Sequence, residues 1–336
     1  MILFLFILFQ IQGPGWTIKI EPVQYEYYPK EPMWFKVKGV NETERELKSI
    51  ADEGFIEMDG KYCGKLYDKT SLMEALERQT PPNEELKYPP KTIRALSFIL
   101  GEICHDVFPM YWGKADEIDE FYGLHKICYV RKWKEYSREV YKWEEKEERF
   151  CSEFKIVYPP EGEDREFYKK YLTNDSLEDV TKLDEKKKAE ALEEFPTSWY
   201  TGWLLDRFYP NLSHPDVEFI LKEIKKPFKE REFYKENSRR LYWMKMDFKR
   251  LLNIYAEAGE KFIKEKKSHP LKTLIYATLS YEYFHLGEIK KGIRYGEKAL
   301  EGEYPQWYKF FSYDYTGGVA QFQKANLKEI IEKLKK

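Results

Sequence analysis

Tyr27-Tyr28-Pro29-Lys30-Glu31-Pro32 runs directly into Met33-Trp34-Phe35-Lys36-Val37-Lys38, and the reading of this stretch decides the fold. The first half carries two prolines around a charged pair, the composition of a turn, because proline presets its own φ and cannot donate to a strand ladder. In the second half Met33, Phe35 and Val37 share one face, and Trp34, Lys36 and Lys38 share the other. That two-residue period predicts a half-buried strand. Working outward, strands are expected at Thr17-Ile18-Lys19-Ile20 and from Pro32 to Val40, the latter closing on the turn Gly39-Val40-Asn41-Glu42-Thr43. A hairpin is expected around Asp59-Gly60, a strong two-residue turn signal between apolar runs. Further strands are expected over Ile93–Ile103, Phe121–Val130 and Arg149–Tyr158, with a helical or irregular insert over Ser71–Gln79. Short strands separated by turn residues predict a β-sandwich.

Composition narrows the possibilities. The 57 basic and 59 acidic residues leave a net charge of −2, so no global charge favours nucleic acid or an anionic membrane. Lys and Glu dominate the second half, a surface like that of heat-adapted proteins with their ion-pair networks. Aromatic residues reach 17%, which is read as aromatic cores before any carbohydrate-binding strip.

Nine apolar residues open the chain, Met1 to Phe9, followed by Gln10-Ile11-Gln12-Gly13-Pro14-Gly15. A bilayer span needs about 20 apolar residues, so this segment does not predict an integral membrane helix. Its length suits the apolar core of a secretory signal over residues 1–15, with Gly13 or Gly15 as small cleavage positions. Export to the periplasm, envelope or exterior is the expectation, and a buried first strand in a cytoplasmic protein is the alternative. The four cysteines, Cys63, Cys104, Cys128 and Cys151, all precede Tyr158. An even count in one half predicts one or two disulfides, with the pairing left open, against buried free thiols.

Beyond Pro159-Pro160 the period changes to about 3.6 residues, which divides the chain into a β-domain over 16–159 and a helical domain over 160–336. Helices are expected from Glu161-Gly162-Glu163-Asp164 through Tyr171, from Leu183 to Phe195, and from Trp199, with Ser198 as cap. Others are expected from Ser213-His214-Pro215-Asp216 through Ile224, from Ser238 to Lys266, and from Val319 to Leu334. The basic, apolar stretch Arg239–Met246 is read as part of the Ser238 helix and its packed face, not as a membrane-surface helix.

Two resemblances follow from these residues. Residues 17–158 resemble the immunoglobulin-like domains of exported bacterial proteins. The resemblance rests on Tyr27–Pro32 before an apolar strand, Asn41 in a turn, and Tyr88-Pro89-Pro90-Lys91. It also rests on Gly123-Leu124-His125 and the closing Ser152-Glu153-Phe154-Lys155-Ile156-Val157-Tyr158-Pro159. Lys30 and Lys91 stand where that family usually has glycine. Residues 273–306 resemble one tetratricopeptide repeat, a unit of about 34 residues. Tyr276, Leu279, Ser280 and Tyr283 fall on its first helix, Leu286-Gly287-Glu288 on its turn, and Gly292, Gly296 and Ala299 on its second. Tyr276, Leu279, Tyr283, Gly292 and Ala299 are the expected packing positions. One repeat cannot bury its own face, so the neighbouring helices are expected to stack on it as a solenoid.

Catalytic motifs are absent: the chain has no phosphate loop, no His-Glu-x-x-His and no Gly-x-Ser-x-Gly. Cys104-His105 and His125-x-x-Cys128 offer zinc-ligand residue types. Adjacent strand residues point to opposite faces, however, so disulfides or buried thiols are preferred to a metal. Asp116/Glu117 and Glu147/Glu148 are read as solvated loops, and His214, His269 and His285 as products of local structure at helix ends. No catalytic, cofactor or metal role is assigned. The expected function is non-enzymatic binding of a protein or peptide through a helical groove and sandwich loops. The alternatives are a hydrolase or hydrolase accessory with an inter-domain site, and a protease-inhibitor-like module.

Overall fold

A computed structural model of the chain describes residues 16–44, 53–65, 91, 93–104, 122–137, 142–173, 179–205, 217–232, 234–235, 247–303, 305 and 317–336. The apolar nonamer, the Ser71–Gln79 insert, His105, Asp116/Glu117, His214 and Arg239–Met246 lie outside the described residues. The chain divides into two compact units. One takes its described residues from 16–25, 34–104 and 124–154, and the other from 26–33, 122–123 and 155–336.

The first unit is built on two sheets. Strand β1 (Trp16–Pro22) pairs antiparallel with β3 (Trp34–Asn41), which pairs antiparallel with β6 (Ile93–Ile99). Alternation sends Ile18 and Ile20 inward while Thr17 and Lys19 face solvent. Phe35 and Val37 are buried as the two-residue period requires, but Trp34 is buried too, against the expectation that it faced outward with Lys36. β3 is the central strand of its sheet, and Trp34 sits opposite Ile99.

The second sheet holds β4 (Glu53–Met58), β5 (Lys61–Lys65), β7 (Gly123–Ser137) and β8 (Lys142–Ile156), in the order β8-β7-β4-β5. Asp59 (φ 50°) and Gly60 (φ 78°) make the β4–β5 turn with two left-handed residues, the geometry the Asp-Gly pair predicts. Across β7 and β8, His125 faces Phe154, Cys128 faces Cys151, Arg131 faces Glu148 and Lys132 faces Glu147, all on one antiparallel register. Glu147 and Glu148 are therefore strand residues with cationic partners, not the solvated loop their charge run implied. Phe35 of β3 stacks on Phe98 of β6 at 5.7 Å and meets Phe154 of β8 edge-on at 5.0 Å, which joins the two sheets at one aromatic core.

The apolar run after Ile93 does not continue as strand to Ile103. It turns at Ile99 into the short helix α1 (Leu100–Ile103), which delivers Cys104 to Cys63. The second disulfide joins Cys128 to Cys151. These are the only two pairings, and no cysteine is left free.

The second unit is mainly helical, yet it begins with residues from early in the chain. Strand β2 (Glu26–Tyr27) runs parallel to the end of β8, with Tyr27 beside Ile156. The turn that follows places Lys30 at φ 63°, and its carbonyl accepts the Val180 N–H at 2.8 Å. Helix α2 (Glu163–Phe167) opens on acidic residues and passes into a wide π-type turn over Tyr168–Leu172. Asp184 caps α3 (Glu185–Glu194) by accepting the Lys187 N–H at 2.8 Å. Helices α4 (Trp199–Leu205) and α5 (Val217–Lys225) follow. Asp247 caps α6 (Phe248–Glu265), accepting the Arg250 N–H at 2.8 Å.

Helix α7 (Lys272–Leu286) and helix α8 (Ile289–Glu301) form a hairpin around Gly287, whose φ of 86° is left-handed. Glu288 N–H donates to the Tyr283 carbonyl at 2.8 Å and Gly287 N–H to that of Phe284 at 3.1 Å, the paired bonds of a Schellman stop. Helix α9 (Gly317–Leu334) closes the chain. Its Leu327, Ile330 and Ile331 share a core with Val217 and Ile224 of α5, Ala277, Tyr281 and Phe284 of α7, and Ala299 of α8.

Candidate interaction surface

Tyr276 and Tyr283 are seven residues apart on α7, two helical turns, and so share a face. Tyr295 of α8 stacks on both, at 6.3 Å from Tyr276 and 5.6 Å from Tyr283, with ring planes 20° and 14° from parallel. The Tyr295 hydroxyl donates to Glu260 of α6 at 2.9 Å. Burial, then hydrogen bonding to Glu260, holds the hydroxyls of Tyr283 and Tyr295 well above the usual phenol range. Lysines cover the ladder. Lys291 lies 4.6 Å above Tyr283, Lys298 lies 5.7 Å above Tyr295 and 5.5 Å above Tyr276, and Lys272 lies 5.8 Å above Tyr276. Each such contact contributes about 0.5–1 kcal/mol at an exposed site.

The other expected packing positions divide between neighbours. Gly292 faces Phe284, and a Cβ there would lie 2.3 Å from that ring. The Ser280 hydroxyl donates to the Gly292 carbonyl at 2.6 Å, and Ala299 lies in the core shared with α5 and α9. Leu279 turns instead to α6, where its Cδ2 sits 2.7 Å from the position of a Cβ on Gly259. Arg231 fastens one end of this stack. Its guanidinium donates to the carbonyls of Ile224 (2.9 Å), Lys226 (3.0 Å) and His285, closing the C-terminal ends of α5 and α7.

Cys104 and Cys128 belong to separate disulfides, and His125 is hydrogen-bonded through Nδ1 to Asp59 at 2.8 Å. Of the residues weighed for zinc, Cys104, Cys128 and His125 are thus engaged elsewhere. Among the described residues no group of His, Cys, Asp and Glu is placed to hold a metal. Among them also, no helix is long and apolar enough to cross a membrane.

One cluster escaped sequence reasoning. Glu31, buried in the second unit, accepts the indole N–H of Trp199 at 2.8 Å, that of Trp203 at 3.0 Å and the Tyr28 N–H at 2.9 Å. The Tyr200 hydroxyl donates to the Pro29 carbonyl at 2.7 Å. Burial, with Asp164 and Glu31 nearby, pushes the Tyr28 hydroxyl up to about 12. The spacing of Trp199 and Trp203 places both on one helix face and is the sole local sign of a shared partner. Nothing near Glu31 in sequence points to them. Comparison with protein-family models, curated proteins and solved structures found no match to this chain.

Proposed function

We propose that the chain is an exported, non-enzymatic binding protein. In this reading the first unit is an immunoglobulin-like platform whose loops contribute contacts. The second is a tetratricopeptide-like array whose α7–α8 hairpin lines a groove for an extended protein or peptide segment. The observation that carries the reading is the hairpin itself. Two antiparallel helices close on a glycine stop, flanked by α6 and α9, and one face carries lysine cations over a ladder of tyrosine rings, of which Tyr283 and Tyr295 are buried. Tyrosine provides apolar area together with a hydrogen-bonding tip and is enriched at binding surfaces. Two disulfides fit an oxidising compartment, and thus export.

The test is affinity capture from a native envelope fraction with the full chain as bait. A second bait carries Glu in place of the exposed Lys290, Lys291 and Arg294 of α8. A partner retained by the natural chain and lost from the variant supports the groove. Equal recovery by both baits overturns it.

A further inference from the structure

His269 lies between α6 and α7 in the second unit, 3% exposed. Its ring is enclosed by Trp199 (4.5 Å between centroids), Phe262 (5.1 Å) and Trp203 (5.3 Å). A Cβ on Gly202 would lie 2.5 Å from its Nε2, so the α4 backbone is pressed against that edge of the ring. Nδ1 accepts the Leu271 N–H at 3.2 Å, which leaves the proton of the neutral ring on Nε2. Among the described residues Nε2 has no hydrogen-bond partner. This imidazole is built into its site as a neutral group.

We propose that His269 is an acid-released latch: proton uptake there breaks the packing of Trp199 and Trp203, the two rings that hold Glu31. The charged groups around it offer no compensation. From the end of α6 comes Lys266, a like charge, already paired with Asp164 of α2 at 3.3 Å. Asp164 also accepts the Trp199 backbone N–H at 2.5 Å. From α4 come Trp199 and Trp203, whose N–H groups are committed to Glu31, and Tyr200, whose hydroxyl is committed to Pro29. On the connecting loop, Lys267 is exposed. A cation–π contact with the indoles offsets only part of the cost of burying an imidazolium.

The direction of the pH effect follows. Burial, reinforced by Lys266, holds His269 down at about 3, against about 6.5 for a free imidazole. Stability contributed by the neutral form is complete above pH 6.5 and is lost as pH falls from there towards 3. Over that window the proton raises the unfolding constant about tenfold per pH unit. His285, buried on the last turn of α7 near Arg231, is also held at about 3 and adds its own factor. The test must therefore isolate His269.

His269→Asn keeps an acceptor for the Leu271 N–H and removes the titration. Denaturant unfolding of the full chain, followed by tryptophan emission from pH 7 to pH 4, compares it with the natural protein. The expected result is a pH slope shallower in His269→Asn by about tenfold per unit in the unfolding constant. A red shift of native-state emission as pH approaches 3 should also appear in the natural chain and not in the variant. Equal slopes, or no difference in emission, overturn the proposal. Should the variant not fold, Cε1 hydrogen–deuterium exchange at His269 in the natural protein decides alone. A flat profile from pH 5 to 8 is expected, and an inflection near 6.5 overturns the proposal.

Discussion

Glu31 accepts the indole N–H of Trp199 at 2.8 Å across 168 residues of chain. Trp203, one helical turn further along, donates to the same oxygen at 3.0 Å, and the Tyr28 N–H donates to the other at 2.9 Å. A buried carboxylate that accepts from these three donors acts as the hub of the second unit. Glu31→Gln keeps the shape but turns one oxygen into a donor, so at least one N–H loses its partner. Stability should fall by about 1–3 kcal/mol, the cost of a buried unsatisfied polar group. A double-mutant cycle with Trp203→Phe should show coupling of about 0.5 kcal/mol or more, since the two side chains share the bond. Additive effects in denaturant unfolding would mean the bond contributes nothing.

The same hub makes Tyr27–Pro32 part of the helical unit, although the two-residue period places its neighbours Trp34–Lys38 in a strand of the other unit. A fragment beginning at Lys155 lacks that segment. It should be less stable than the same unit in the full chain, and a synthetic peptide covering residues 24–35 should restore part of the loss. Circular dichroism melting of the fragment with and without the peptide reads this directly. No effect of the peptide would leave the hub without energetic weight.

What was legible followed from local rules. Asp59-Gly60 dictates its own turn and Gly287 stops α7, whereas Asp247, which the periodicity placed inside a Ser238–Lys266 helix, is extended and caps α6. Alternation placed Phe35 and Val37 inward, and the helical phase brought Tyr276 and Tyr283 onto one face. The failures share a different cause. Trp34 is buried although Lys36 and Lys38 on the same face of β3 are not, and what covers one end of a sheet face is not written in the strand itself. β6 stops at Ile99 because the following residues are buried as a helical turn, and an unbroken apolar run does not distinguish the two. Lys30 and Lys91 adopt φ of 63° and 62°, the left-handed geometry natural to glycine and strained for lysine. Glu31 and its indoles were invisible because the contact spans half the chain.

The two disulfides close loops of different length, with separations of 41 residues for Cys63–Cys104 and 23 for Cys128–Cys151. Loop-closure entropy alone assigns them about 4 and about 3 kcal/mol respectively. Both lie in the first unit. Reduction should therefore lower the melting temperature of a transition reported by the strand signal, and leave the helical transition nearly unchanged. Alkylation of the oxidised native protein should label none of the four cysteines. Quantitative labelling without reductant would show the thiols are free.

Glu282 of α7 is fully buried, and among the described residues neither carboxylate oxygen has a hydrogen-bond partner. Burial raises its protonation point well above the usual carboxylate range. The folded state therefore holds this proton where the unfolded state has released it. Its contribution is complete below about pH 4.5 and is lost as pH rises. Glu282→Met fills similar space without the charge. It should stabilise the chain at pH 7 on the order of 1–3 kcal/mol, with the gain shrinking as pH falls towards 4.5. A pH-independent difference between the two proteins would refute the buried, unpaired carboxyl.

Gly292 decides how closely α7 and α8 approach. In an exposed helix Gly→Ala would stabilise by about 1 kcal/mol, because glycine has more backbone freedom to lose. Here the added methyl would lie 2.3 Å from Phe284 Cδ1 and 3.0 Å from the Ser280 carbonyl oxygen. Phe284 is fully buried in the core shared with α5 and α9, so its ring has no free space into which to swing. Overpacking of this kind costs about 1–3 kcal/mol, which exceeds the propensity gain at the upper end of that range. Gly292→Ala should thus unfold at lower urea than the natural chain, with the Ser280–Gly292 hydrogen bond strained as the helices part. Lys290→Ala, two residues away and exposed, should stay within about 0.5 kcal/mol. If Gly292→Ala were instead the more stable of the two, α7 and α8 would not meet in this register. The tyrosine–lysine face that motivates a binding groove would then lose its basis.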